Sequence, residues 1–198
     1  MKAAAMNKLL PGAAHPIGRF IRDRRGNAAV EFAFVVPLML MLFFGTVEFS
    51  SAISAQRKSV LATRTMSDLV SQSSVVDDND LLNFYKAAAA IMYPFPTSPD
   101  FKVRITSLYV DPTTKIGKPR WSKAWGTGLS ALATSDNVTL PTALQVGDTY
   151  LIYAEVKYKY VPAVGYMMDK LGKDLDNSTY TRPRQSLCTK YPATATSC

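Results

Sequence analysis

The stretch of sequence that decides the fold is Arg22-Asp-Arg-Arg-Gly26-Asn-Ala-Ala-Val-Glu31-Phe-Ala-Phe-Val-Val-Pro37-Leu-Met-Leu-Met-Leu-Phe-Phe-Gly45. A basic segment ends at Gly26, and the sixteen residues from Phe32 to Val47 carry no charge. A helix rises about 1.5 Å per residue, so roughly 20 residues cross a hydrocarbon core about 30 Å thick. Glu31 and Glu48 flank the run, about 25 Å apart along a helix, which places each near one interface. The stretch therefore predicts a membrane-spanning helix.

Positive charge on the N-terminal side predicts the orientation of this helix. Residues 1–26 hold a net charge of +5 out of +8 for the whole chain. Because positive flanks stay in the cytoplasm, we expect the N-terminus inside and the rest of the chain in the periplasm. Arg57, Lys58 and Arg64 after the span weaken this asymmetry. A cleavable secretory signal is the alternative, but it would have a shorter apolar region and a small-residue cleavage site after it, which this sequence does not clearly show.

Glu31 stands at the start of the apolar run, where a charged side chain is costly. One interpretation is that the side chain reaches the interface and stays hydrated. The other is that it pairs with a cation. Cleavage after Gly26 would create a positively charged amine on Asn27, and the Glu31 carboxylate of a neighbouring subunit would neutralise that amine. The sequence alone leaves both interpretations open.

Gly26, with Glu31 five positions later and an apolar helix following, resembles the processing signature of type IV prepilins. The longer run over residues 26–37, together with Phe44-Gly45 and Glu48-Phe49, is similar to the TadE-like proteins. These are pseudopilins of the tight-adherence (Flp) pilus system. Weaker similarity to the same family follows in two later segments, residues 147–162 and residues 180–184, whereas residues 72–146 show none.

The resemblance implies a pseudopilin or minor pilin that acts in pilus assembly, adhesion or secretion. It implies cleavage by a prepilin peptidase between Gly26 and Asn27, and an assembly role for Glu31. The location it implies is the inner membrane, with association to a pilus. The implied partners are the prepilin peptidase, other Tad pilins and pseudopilins, the inner-membrane assembly platform and the lipid bilayer. An unprocessed single-pass scaffold protein with a periplasmic interaction domain is the alternative.

Composition divides the chain into a basic leader (1–26), a transmembrane helix with its extension (27–72) and a periplasmic domain (73–198). We expect an α+β fold, in which the long N-terminal helix continues into a small domain with an antiparallel sheet. The individual elements predicted after the span are a helix at 80–92, strands at 101–110, 120–126, 149–161 and 179–187, and a short helix at 162–171.

Two of these segments allow more than one interpretation. The acidic residues Asp77, Asp78 and Asp80 precede the second helix and suit its N-terminus, because they lack the spacing and the final glutamate of a calcium-binding loop. In the strand at 149–161, Tyr150, Tyr158 and Tyr160 share one face with aliphatic residues. An alternating aromatic row of this kind is typical of the core side of a sheet, although it could also form a ligand platform.

Cys188 and Cys198 are the chain's two cysteines. In an oxidising periplasm they predict a disulfide, and two free thiols on a polar tail are the alternative. The single histidine, His15, lies in the leader, and no motif for nucleophilic, acid–base or metal chemistry occurs. We therefore expect no enzyme, no catalytic residues, no cofactor and no metal. The remaining positive residues are scattered, so we expect no nucleic-acid partner.

Overall fold

A computed structural model describes residues 26–162, 172–196 and 198. Helix α1 runs over Asn27–Ser71 and α2 over Asp78–Ile91, and strands β1 to β4 cover Phe101–Val110, Gly117–Trp125, Thr149–Tyr160 and Lys173–Thr181. A one-turn 3₁₀ helix at Thr142–Leu144 precedes β3. The four strands form one sheet in the order β2-β1-β3-β4, and all neighbours are antiparallel. The predicted α+β class, with a long N-terminal helix and an antiparallel sheet, is confirmed.

The chain forms two compact units, Met1–Thr46 and Val47–Cys198. The boundary falls inside α1, so the second half of this helix belongs to the C-terminal unit. Composition groups that half with the span, as part of residues 27–72. The structure assigns this half to the C-terminal unit because its side chains pack against the sheet.

Small and flexible apolar residues bury one face of the second half of α1. Ala55, Ala62, Met66 and Val70 recur at helical spacing and are fully buried. They belong to one core with alternate residues of β1 and β3, namely Val103, Ile105, Ile152, Ala154 and Val156. Tyr158 and Tyr160 are buried in the same core, which confirms the core-facing interpretation for these two residues of the tyrosine row, whereas Tyr150 is half-buried. The alanines let the helix approach the sheet closely.

Hydrogen bonds join the same helix to the edge strand β4. The Asn177 side chain accepts a bond from Gln56 Nε2 at 3.0 Å and donates one to Ser59 Oγ at 2.9 Å. Farther along, Ser67 Oγ donates to Thr181 Oγ1 at 2.7 Å. These bonds satisfy polar groups that the helix–sheet contact removes from water, which is a condition for burying them at low cost.

The C-terminal tail supplies hydrogen-bond donors for the last carbonyls of α1, which have no backbone donor within the helix. The Arg184 backbone N–H donates to Ser71 O at 2.8 Å, and its guanidinium donates to the Asp68 carboxylate at 2.8 Å. Thr189 Oγ1 lies 3.2 Å from Val70 O and 3.0 Å from Ser73 O, so its hydroxyl donates at the helix end. The tail thus closes the end of α1.

A disulfide joins Cys188 to Cys198 within this tail, with a Cα–Cα distance of 6.0 Å. Cys188 is buried at 2% exposure. Next to it, the Thr189 carbonyl accepts a bond from Trp121 Nε1 of β2 at 2.7 Å. The Lys190 backbone N–H donates to Ser74 O at 3.0 Å. The bridge therefore closes a loop that contacts both the segment after α1 and the sheet.

The opposite face of the sheet carries a smaller core and an ion pair. Leu108, Val110 and Leu151 pack with Leu140 from the segment between β2 and β3. Towards the other end of this face, Arg104 pairs with Glu155 on the neighbouring strand, and both side chains are largely buried. Burial also raises the pKa of Tyr153 on this face to about 12.

The acidic residues before α2 form a helix cap. Asp77 Oδ1 accepts from the Asp80 backbone N–H at 2.8 Å, and Asp80 Oδ2 accepts from the Asp77 N–H at 3.2 Å, which is a reciprocal capping box. The predicted capping role is confirmed. Hydrogen bonds from Lys123 and then Tyr191 hold the pKa of the Asp78 carboxyl below its ordinary value and link the helix start to β2 and the tail.

The predicted helix at 162–171 lies outside the described residues except for Pro162, which ends the first described range. The bounds of two predicted strands differ from those in the structure. Strand β2 begins at Gly117 rather than 120, because a register shift between Ser107 and Leu108 lets pairing continue past Pro119. The last strand ends at Thr181, so its predicted range of 179–187 is largely wrong. In β4 only Leu175 is buried, so the sequence of this edge strand shows no alternation of apolar residues from which the strand could be predicted.

Replacing Asn177 with alanine should destabilise the C-terminal unit. Gln56 and Ser59 would lose their partner in a half-buried contact, at a cost of about 1–3 kcal/mol. The measurement is the thermal midpoint of tryptophan fluorescence for the full chain in nanodiscs. Ser178→Ala, at the exposed neighbouring position, is the matched control and should unfold near the wild-type temperature. Equal midpoints for the two variants would contradict the role given to Asn177.

The tail disulfide predicts that native protein extracted from the membrane has no alkylatable thiol. Closing a loop of this size stabilises by about 2–3 kcal/mol in the chain-entropy model. Mass analysis after alkylation should show no adduct before reduction and two adducts after it. Two adducts on the unreduced native protein would show that Cys188 and Cys198 are free thiols.

Candidate functional site

The first half of α1 exposes its apolar side chains on every side. Apart from the half-buried Val36, the large hydrophobic residues between residues 30 and 49 are between 41% and 78% exposed; they are Val30, Phe32, Phe34, Val35, Leu38, Met39, Leu40, Met41, Leu42, Phe43, Phe44, Val47 and Phe49. Among the described residues, one helix is long and apolar enough to cross a membrane, and its most apolar window is not buried at all. A surface of this size and composition requires lipid or other apolar helices around it.

Pro37 lies inside this helix, and α1 continues through it without a break. Proline removes one backbone donor, so the carbonyl four residues earlier loses its usual partner. At membrane depth such a carbonyl is tolerable when neighbouring helices or local adjustments satisfy it. The residue is therefore compatible with a span that contacts other helices.

The predicted processing residues lie at the start of α1. The helix begins at Asn27, directly after Gly26. A side chain at Gly26 would meet no heavy atom within 4 Å, so the position is open. Glu31 follows about one turn into the helix and is exposed. The structure thus brings Gly26, Asn27 and Glu31 together on one helix end, whereas pairing between subunits stays a prediction.

Glu48 marks the other end of the apolar run. Its carboxylate accepts a hydrogen bond from the Tyr160 hydroxyl at 3.1 Å, so the last residue of β3 contacts α1 at this point. Burial raises the pKa of the Tyr160 hydroxyl, and the bond to Glu48 raises it further. The sequence indicates the two residues separately, one at an interface and one on a core face. No local pattern could have joined them, because 112 residues separate them.

The other residues that the sequence singles out are the two cysteines and the basic leader. Cys188 and Cys198 form the tail disulfide. Within the described ranges, no three His, Cys, Asp or Glu side chains are grouped to hold a metal ion. The basic leader with His15 lies outside the described residues, apart from Gly26.

A long exposed apolar helix at the N-terminus, followed by an α+β unit that includes the helix's second half, is consistent with a membrane-anchored, pilin-like protein. Residues 26–65 match the family model described as TadE-like protein. The predicted resemblance is thereby confirmed over this segment, and the match does not extend to the weaker similarities after residue 146. No curated protein and no solved structure is significantly similar to the chain.

Proposed function

We propose that this chain is a pseudopilin, or minor pilin, of a bacterial tight-adherence pilus. One observation carries the proposal: the TadE-like match begins at Gly26, and at the next residue the structure begins a helix whose apolar side chains are exposed. A prepilin peptidase cleaves after Gly26, and the mature protein acts in pilus assembly, adhesion or secretion. The function is structural, without enzymatic activity of its own.

The junction at Gly26 suits a membrane peptidase that acts at the cytoplasmic face. A leader of net charge +5 precedes it, and the apolar span follows within five residues. The basic leader holds this end of the chain in the cytoplasm. The rest of the chain then lies in the periplasm, with α1 crossing the inner membrane once.

After cleavage, Glu31 lies about 6 Å along α1 from the new N-terminus at Asn27. Two parallel helices shifted by about one turn bring the Glu31 carboxylate of one subunit to the Asn27 amine of the next. Each charge is then compensated in a region of low dielectric, where an uncompensated charge is costly. The exposed apolar residues of both helices pack around this pair. The other pilins and pseudopilins, and the inner-membrane assembly platform, are the partners that this arrangement fits.

An unprocessed single-pass scaffold protein is the second candidate, since the same helix would anchor it equally well. The mass of the protein extracted from membranes separates the two. A mass without residues 1–26 supports the pseudopilin, and an intact N-terminus supports the scaffold.

Gly26→Val should block processing while leaving the protein in the membrane. A branched side chain next to the scissile bond hinders the peptidase, whereas in the chain itself the position is open. Gly45→Val is the matched control, because Gly45 lies within the helix that follows Gly26 and is equally open. The control should mature normally. Intact mass measured on extracted protein reports both outcomes, and maturation of Gly26→Val at the wild-type position would contradict the assignment.

Glu31→Ala should insert and be cleaved but fail in assembly. Alanine enters a membrane more readily than a carboxylate does. The neighbour's amine, however, loses its partner, and breaking a buried ion pair costs about 3–5 kcal/mol. The measurements are pilus output and crosslinking to partner pilins, made after insertion and processing have been verified. Val30→Ala controls for the loss of side-chain volume. Wild-type pilus output and crosslinking in the Glu31→Ala variant would show that Glu31 is a hydrated residue at the membrane interface with no role in assembly.

A further inference from the structure

The end of the C-terminal unit around Glu48 exposes an aromatic and aliphatic surface that the fold does not use. Tyr93 is 79% exposed and Val161 is 53% exposed, and Phe49 of α1 is 69% exposed. Most other large apolar residues described in this unit are buried or half-buried. We define Phe49, Tyr93 and Val161 as the basal surface.

Contacts hold the parts of the basal surface to one stretch of α1, between positions 48 and 58. Tyr160, next to Val161, bonds to Glu48. The ring of Phe95 lies edge-on to that of Tyr160, with centroids 6.0 Å apart. Tyr93 lies two residues before Phe95. Two residues before Tyr93, the Ile91 carbonyl accepts a hydrogen bond from Lys58 Nζ at 3.2 Å. Tyr93 is therefore held between positions 48 and 58 of the helix.

The depth of Glu48 in the membrane indicates the environment of the basal surface. Glu48 is the first charged residue after the apolar run, so the chain leaves the hydrocarbon core there. Groups bonded to Glu48 consequently lie at the level of the lipid headgroups. Tyrosine is enriched at this level, since its ring is apolar and its hydroxyl is polar. The exposed residues Lys159 and Lys173 flank Tyr160 on β3 and β4, and their ammonium groups can reach lipid phosphates.

We propose that the basal surface is a lipid-binding surface, through which the C-terminal unit lies on the bilayer at the outer end of its own span. The partner is phospholipid, contacted by the Tyr93 ring and Val161 at headgroup depth. The inference rests on the membrane span of the proposed function, and it adds a second, peripheral contact that the span alone does not require. A second protein subunit is the competing occupant of the same surface.

Site-specific photocrosslinking in the full chain tests this inference in native membranes. The photoreactive residue p-benzoylphenylalanine is placed at Tyr93 in one variant and at Val161 in another. Leu187 is the matched control, because it is also exposed, at 71%. It adjoins the tail that contacts Val70, which is about 33 Å farther along α1 than Glu48. Mass spectrometry of the irradiated protein identifies the adduct.

Positions 93 and 161 should each yield a phospholipid adduct several-fold more often than position 187. Protein adducts at both positions, or lipid yields no higher than at 187, would overturn the lipid-binding surface. A fourth variant, with the photoreactive residue at Phe44, reports on the span itself and should capture lipid or the apolar helix of a partner. Lipid capture at 44 together with none at 93 and 161 would reject only this inference. Capture of neither lipid nor a partner helix at 44 would reject the span and with it the proposed function.

Discussion

The contact between the second half of α1 and the sheet is the constraint on which the rest of the C-terminal unit depends. Complete burial of a side chain such as Met66 contributes about 1.5–3 kcal/mol, and its alanine neighbours allow the close approach that makes this burial complete. The same face carries Ser59 and Ser67, whose hydroxyl groups bond to β4. Without this helix the sheet would expose its larger core. The unit therefore cannot be separated from the second half of α1.

The C-terminal tail completes that contact by closing the end of the helix it depends on. The last carbonyls of a helix need partners from elsewhere, and here Arg184 and Thr189 supply them from more than a hundred residues later in the chain. The disulfide shortens the free tail and keeps Thr189 between α1 and Trp121. The first and last segments of the unit thus contact each other, which favours cooperative folding over separate fraying of the helix end and the tail.

The parts of the fold with a strong local signal were predictable from the sequence. The apolar run, the helix through Ser71 and strands β1 and β3 have clear hydrophobic periodicity, and the acidic cap has a recognised pattern. Strand β4 has none, because its residues are fixed by pairing with β3 and by Asn177 reaching α1. The candidate site divides in the same way. Gly26, Asn27 and Glu31 were visible as a motif, whereas the Tyr160–Glu48 bond depends on tertiary structure.

The two halves of α1 are stabilised by different interactions, and this difference bears on assembly. The second half is committed to its own sheet. As a proposed membrane span, the first half would gain little free energy from exchanging lipid for another apolar helix, because lipid tails are as apolar as leucine side chains. Association there must come from close packing and from polar pairs. Of the two carboxylates that flank the apolar run, Glu48 bonds to Tyr160 of its own unit. Glu31 lies beside the proposed new N-terminus, so in the proposed mechanism it selects both the partner and the register of packing.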